Sequence, residues 1–247
     1  MIDTHCHIDQ YDNPIALVRE CENLEIRTIA VTSLPSHFEA ARAHLEGYDF
    51  VRPALGFHPL VVARNLREAL KFDRLAPTAQ FIGEIGLDGS QSGLASLEKQ
   101  IEIFSRILQS IRGKRRFVTI HSRQAVSETL ECLAEAKMYP VVFHWFSGSK
   151  SELMAVLEAG HYISVNPAMA VSPRWGHDIL EVPLERILTE TDGPYSKVDA
   201  RKAVPKDVAI VARWLASKFN RPLPDIDVAL DVAFRTVQGA RLWPDPL

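Results

Sequence analysis

The sequence predicts an α/β fold, a single (β/α)8 TIM barrel with extra C-terminal helices, occupying residues 1–247 as one domain. Three observations predict it. Short β-branched runs alternate with longer helical stretches along the whole chain. The runs number eight. Metal-binding residue types stand at the C-terminal end of most of them. Strands that alternate with helices pair in parallel, because each crossover helix returns the chain to the starting edge. Eight such units in a chain of 247 residues match a closed barrel.

The runs are 1–5, 27–32, 51–56, 80–87, 117–121, 140–146, 162–166 and 186–191. Helical patterns over 13–24, 36–45, 93–111, 124–136 and 150–158 separate most of them. Residues 205–219 and 226–238 read as helices that close the barrel, and 171–179 and 197–204 as loops. Hydrophobic residues make up 47% of the chain, enough for a substantial core. A formal net charge of -3 argues against bulk attraction to nucleic acid, which usually shows as a strongly basic face. It leaves room for a nuclease whose site grips a few phosphates locally. Cys6, Cys21 and Cys132 are scattered and form no Cys-x-x-Cys pair, so neither a disulfide framework nor a structural zinc finger is predicted. No leader pattern and no apolar run of transmembrane length is seen, which predicts a cytoplasmic protein without a membrane partner.

The opening His5-Cys6-His7 carries the first chemical signal. Side chains alternate along a strand, so His5 and His7 face one way and Cys6 the other, into packing. Imidazole nitrogen suits zinc and other first-row metals. The remaining strand ends supply Gly56-Phe57-His58-Pro59, Gly83-Glu84-Ile85-Gly86-Leu87-Asp88, Ile120-His121-Ser122-Arg123, Phe143-His144-Trp145-Phe146-Ser147-Gly148 and Thr189-Glu190-Thr191-Asp192-Gly193-Pro194. Active sites of barrels are built at that face. The set His5, His7, Glu84, His121, His144 and Asp192 suits two divalent metals sharing a bridging carboxylate, with Glu84 as the bridge. Such a pair lowers the pKa of a water toward neutrality, and Asp192 is placed to orient or deprotonate it. By ligand type the ions are Zn2+ or Mn2+.

These motifs resemble the TatD family of metal-dependent deoxyribonucleases among the amidohydrolase-like barrels, and they span nearly the whole chain in the family's order. The resemblance implies that His5, His7, Glu84 and Asp192 hold one metal and Glu84, His121 and His144 a second. It places His58 and Arg123 at the substrate phosphate, so that Asp192, Glu84 and His58 form the catalytic group. It implies Mg2+-supported hydrolysis of DNA, often from a 3′ end. The chain departs from the family's pattern in a short Gly89-Ser90-Gln91-Ser92-Gly93 loop, in Trp145, in Lys202-Ala203-Val204-Pro205-Lys206 where Asn-Glu-Pro is usual, and around Gln238-Gly239. These changes fall on the substrate rim. Pro35-Ser36-His37-Phe38 and Phe143-His144-Trp145 resemble a subgroup encoded with the Qat anti-phage system, which implies protein partners from that system.

Other candidates divide by position. Lys197, Arg201 and Lys202 follow the eighth run, on the active face, and are expected to meet DNA phosphates. Trp175 is expected in a loop there as a platform for base stacking, while Phe57 and Trp145 are open between stacking and packing. Arg112-Gly113-Lys114-Arg115-Arg116 precedes the fifth run and is expected as a solvated loop on the opposite face. Ser122 and Ser147 lack a nucleophile-elbow pattern. His37, His44, His161 and His177 lie off the motifs. Two rival readings use the same shell: hydrolysis of an amide, lactone or aminoacyl-tRNA ester, and a defence-complex component that mainly binds proteins.

Overall fold

The first strand, β1 (Ile2–Cys6), is buried along its whole length, and seven more follow it around a barrel in sequence order. A computed structural model of the chain describes residues 1–239 and Trp243. Residues 240–242 and 244–247 of the expected domain lie outside the described residues. The other strands are β2 (Arg27–Ala30), β3 (Val51–Leu55), β4 (Phe81–Gly86), β5 (Phe117–His121), β6 (Val142–Phe143), β7 (Tyr162–Val165) and β8 (Ile187–Thr189). Every neighbouring pair from β1–β2 to β7–β8 is parallel. The eighth strand returns to the first through side chains. The Thr4 hydroxyl donates to the Thr189 carbonyl at 2.9 Å, and the Thr189 hydroxyl donates to the Ile2 carbonyl at 2.6 Å. Asp3 accepts from the Thr191 backbone N–H at 2.9 Å and from its hydroxyl. Just above, Asp192 N–H donates to the His5 carbonyl and His7 N–H to the Gly193 carbonyl, both at 2.8 Å.

Local chemistry explains the helices between the strands. In α1 (Pro14–Asn23), Asn13 caps the Ala16 N–H and proline opens the first turn. α2 (Pro35–His44) again starts on proline. α5 (Leu97–Ile111) buries Ile103, Phe104, Ile107, Leu108 and Ile111, the spacing of one helical face. α6 (Val126–Glu135) buries Val126, Thr129, Cys132 and Leu133 in the same way. α7 (Lys150–Glu158) opens on a Ser149–Glu152 capping box.

Short helices appear where periodicity is weak: α3 (Pro59–Val62), α4 (Glu68–Leu75), α8 (Pro167–Ala170) and α9 (Trp175–Asp178). α9 replaces part of the expected loop over 171–179. The loop expected over 197–204 instead holds a two-stranded hairpin, β9 (Lys197–Val198) and β10 (Arg201–Lys202). The sixth run shrinks to two residues, and just past it Trp145 takes a positive φ of 36°. In the basic run 112–116, Arg116 is not solvated. It is 4% exposed and donates to the Ala76 and Ala79 carbonyls.

The last two helices, α10 (Val208–Phe219) and α11 (Leu223–Gln238), pack together, and α11 crosses the barrel's N-terminal end against β5 and β8. There Phe234 meets Phe117 at 5.6 Å, and Trp243 meets Phe81 at 5.4 Å between ring centroids. Burying an aromatic or branched side chain of this size contributes about 1.5–3 kcal/mol, so this end is firmly sealed. No helix among the described residues is long and apolar enough to cross a membrane.

His161 records burial in its titration. It is 5% exposed, and its Nδ1 accepts the Val141 N–H at 3.3 Å. Burial and the nearby Arg186 charge lower its pKa to about 4. The unfolded chain takes up this proton near pH 6.5 and the folded chain only near 4, so stability is full above 6.5 and declines as pH falls toward 4. The decline amounts to roughly 3 kcal/mol at the acid end. Chemical denaturation at stepped pH should show this slope in the wild type and a shallower one in His161→Asn. Equal slopes would assign the acid sensitivity to other groups.

Candidate metal centre

The site begins with two glycines in β4. Gly83 and Gly86 have φ of 152° and 136°, and a Cβ would lie 2.1 Å from Thr119 Cγ2 at the first and 2.0 Å from the His121 carbonyl at the second. Only glycine permits both the backbone conformation and the approach to β5. Between them Glu84 turns inward and is 2% exposed.

The two oxygens of Glu84 serve different groups. Oε2 faces His7 Nε2 at 3.2 Å and His5 Nε2 at 3.7 Å. Asp192 Oδ1 completes that group, 3.6 Å from each of the same two nitrogens. Oε1 meets His121 Nδ1 at 2.7 Å, His144 Nε2 at 2.8 Å and His58 Nε2 at 3.4 Å. The His5 and His144 rings stack at 3.9 Å and join the two groups. β1 and the residue just past its end therefore bring His5 and His7 to one group, as strand alternation predicts, and Cys6 points away into a cluster with Ile8, Leu17, Val18 and Cys21. His5 is held from behind by Thr119 Oγ1, 2.8 Å from its Nδ1.

The electrostatics are mutual. Burial opposes ionisation of Glu84, but the His58 and His144 charges and hydrogen bonds from His121 and His144 hold it well below the usual carboxylate range. His121 is opposed by burial too, yet Asp88 and Glu84 raise its pKa to about 9. Asp192 goes the other way: burial, then Glu190 and Glu84, push it well above the usual range. His5 Nε2, His7 Nδ1, His144 Nδ1 and Asp192 Oδ1 are buried without hydrogen-bond partners. Buried polar atoms are rarely left so. His5 Nε2 and Asp192 Oδ1 are aimed into the same space, and a mixed imidazole–carboxylate set suits a divalent metal ion. Three overlapping groups have ligand atoms within 4.8 Å of one another: His5, His7 and Glu84; His5, His144 and Asp192; His58, Glu84 and His121. The residues present thus fit a metal centre, and His58, expected at the phosphate, belongs to one of its groups.

The centre opens into a cavity of about 580 Å³. Arg123 lines it and is exposed, as do Trp145, half-buried, and Tyr195, whose ring stands edge-on over His7 at 5.1 Å. Trp175 does not reach it. It is 4% exposed, packed edge-on against Phe146 beneath Arg174, because α9 turns it into the core; it is no stacking platform. Phe57 is buried as well. Lys197 is exposed on the hairpin and is not among the cavity-lining residues.

Sequence reasoning passed over three buried acids. Asp88 Oδ2 holds His121 Nε2 at 2.8 Å, and Gln100 from α5 grips both the N–H and carbonyl of Asp88. Asp3 stitches the β8–β1 seam, and burial raises its pKa to about 8 against hydrogen bonds from Thr191 and His5. Glu190, fully buried, accepts from Trp145 N–H at 2.8 Å, Asn166 Nδ2 at 3.2 Å and the Ser164 hydroxyl. Its Oε1 lies 4.0 Å behind His144 Nδ1. The available signal was parity: Asp3 shares the face of His5 and His7, and Glu190 and Asp88 sit beside ligands at strand ends.

Barrel, strand-end shell and paired carboxylates are those of a metal-dependent hydrolase. More particularly, the family model for TatD related DNase matches residues 2–239, and the chain belongs to that family. It is 28% identical to human Deoxyribonuclease TATDN3 over 268 residues, covering 99% of this chain and 94% of the relative. An uncharacterized metal-dependent hydrolase of Methanocaldococcus jannaschii is 27% identical, covering 87% of each. The solved structure of YJJV, a TATD homolog from Escherichia coli K12, shares the fold with a TM-score of 0.86 at 24% identity, over 97% of this chain and 98% of that one.

Glu190 gives this site a stability test. Glu190→Ala strands three buried donors and should cost several kcal/mol, at about 1–3 kcal/mol for each unpaired group. Glu190→Gln keeps an acceptor oxygen and should lose much less. Thermal melting compares them, and equal melting temperatures would deny the carboxylate this role.

Proposed function

We propose that this protein is a deoxyribonuclease that releases nucleotides from DNA ends in the 3′-to-5′ direction, using two divalent ions held in one barrel domain. The observation that carries the reading is the division of Glu84, with Oε2 facing His5, His7 and Asp192 and Oε1 facing His121, His144 and His58. A carboxylate shared in this way suits a bridge between two ions. His5, His7, Glu84 and Asp192 would hold one, and Glu84, His121 and His144 the other. Bound there, the ions supply Lewis-acid polarisation of a phosphoryl oxygen and acidify water.

The chain's own groups do the rest. Asp192, buried beside Glu190 and Glu84, accepts the proton of the attacking water through the carboxylate oxygen that does not face the ion. The exposed Arg123 guanidinium, without an ion-pair partner among the described residues, grips the phosphate, and His58 orients it. That cation at the mouth favours a phosphodiester over an amide, lactone or aminoacyl ester. A human relative named 3'-5' RNA nuclease TATDN2, 28% identical over 221 residues, supports the polarity and leaves RNA as a comparison substrate. The histidine-rich shell supports Zn2+ or Mn2+ as the bound ions, and the family supports Mg2+ as a working one. The resemblance of 35–38 and 143–145 to the Qat-associated subgroup supports a cytoplasmic role in anti-phage defence with protein partners.

Oligonucleotides labelled at the 3′ or 5′ end test the reading. Glu84→Gln and Asp192→Asn should each lower nucleotide release at least 100-fold, on the order expected when a ligand rather than its support is lost. Chelation should abolish wild-type release, and re-addition of Mg2+, Mn2+ or Zn2+ beside metal analysis identifies the ions. Wild-type rates in either variant would overturn it.

A further inference from the structure

The β9–β10 hairpin carries an arrangement that stability alone disfavours. Its register places Lys197 directly opposite Lys202, and Val198 opposite Arg201. Residues opposite each other on antiparallel strands share one face, so two ammonium groups stand side by side, and like charges in that position destabilise the pair. Both lysines are exposed, and neither has an ion-pair partner among the described residues. The neighbouring charges are accounted for. Arg201 is bound to Asp207 through two hydrogen bonds of 2.6 and 2.7 Å, Lys206 pairs with Glu20 at 2.7 Å, and Asp199 occupies the turn at φ 53°.

The hairpin is also fixed relative to the metal centre. Ser196 donates to the Thr191 carbonyl, Ala203 N–H donates to the Ser196 carbonyl at 3.0 Å, and Tyr11 donates to the Ala203 carbonyl. β9 packs against α8, which follows the C-terminal end of β7. Lys197 lies two residues beyond Tyr195 of the cavity wall, at most about 7 Å along the backbone. The lysine pair therefore stands on the active face, outside the cavity and within a few nucleotides' reach of it.

We propose that Lys197 and Lys202 form a clamp for the backbone of a nucleic-acid strand whose terminal phosphodiester lies at the metal centre. Phosphates remove the repulsion between the two ammonium groups, and the contact is blind to sequence. This inference rests on the nuclease reading and adds to it a second grip that only a polymer, not a dinucleotide, can engage.

The test compares wild type with Lys197→Ala/Lys202→Ala in binding a labelled 20-mer between 50 and 200 mM salt, in Ca2+ to suppress cleavage, and in hydrolysis of a dinucleotide. Each lost contact to a single strand lowers the slope of log affinity against log salt by about 0.7. The double variant should lose a slope of about 1.4, so that its affinity falls roughly sevenfold less than the wild type's across that salt range. Dinucleotide hydrolysis should be unchanged. An unchanged salt slope in a variant of a wild type that binds and cleaves the 20-mer would overturn the clamp and leave the nuclease reading standing. A wild type that neither binds the 20-mer nor hydrolyses the dinucleotide would overturn both.

Discussion

The β8–β1 seam is the constraint on which the rest depends. A parallel barrel of eight strands must join its last strand to its first, and here the joint is made by Asp3, Thr4, Thr189 and Thr191 rather than by a continued ladder. The two backbone bonds above it, from Asp192 to His5 and from His7 to Gly193, set the height of three site residues relative to one another. Closing the fold and assembling half of the metal centre are thus one event. Threonine suits the seam because its hydroxyl can reach across while its methyl packs, and Asp3 suits it by accepting from backbone and hydroxyl together.

On the far side of the barrel the same problem is solved by proximity. Gly83 and Gly86 bring β4 against β5, so Glu84 lies under His121, and Asp88 catches the outer nitrogen of that ring. The result is a dense, largely buried group of imidazoles and carboxylates at the floor of the cavity. Buried charge of this density is costly unless each group offsets another. The opposed shifts of Glu84 and Asp192 show that offset is incomplete on the Asp192 side, where acid faces acid. A metal cation held there would offset that repulsion.

Much of this was legible in the sequence because it depends on short-range rules. Two-residue alternation put His5 and His7 on one face, strand–helix alternation gave the barrel, and the strand-end positions of Glu84, His121, His144 and Asp192 placed them together. What was not legible depends on tertiary partners. Trp175 looked like a free aromatic in a loop, and only the packing of α9 against Phe146 shows it to be core. Arg116 looked solvated until the Ala76 and Ala79 carbonyls supplied its acceptors. Glu190 and Asp88 stand within the motifs, yet their duties lie in hydrogen bonds to Trp145, Asn166 and Gln100, which sequence spacing does not encode.

The aromatic seal formed by Phe81, Phe117, Phe234 and Trp243 at the N-terminal end makes the barrel a cul-de-sac. A strand cannot be threaded through such a vessel as through a pore. On the exonuclease reading proposed above, the end of a strand would enter and a freed nucleotide would leave by the same mouth. Entry of substrate and departure of product then share one doorway.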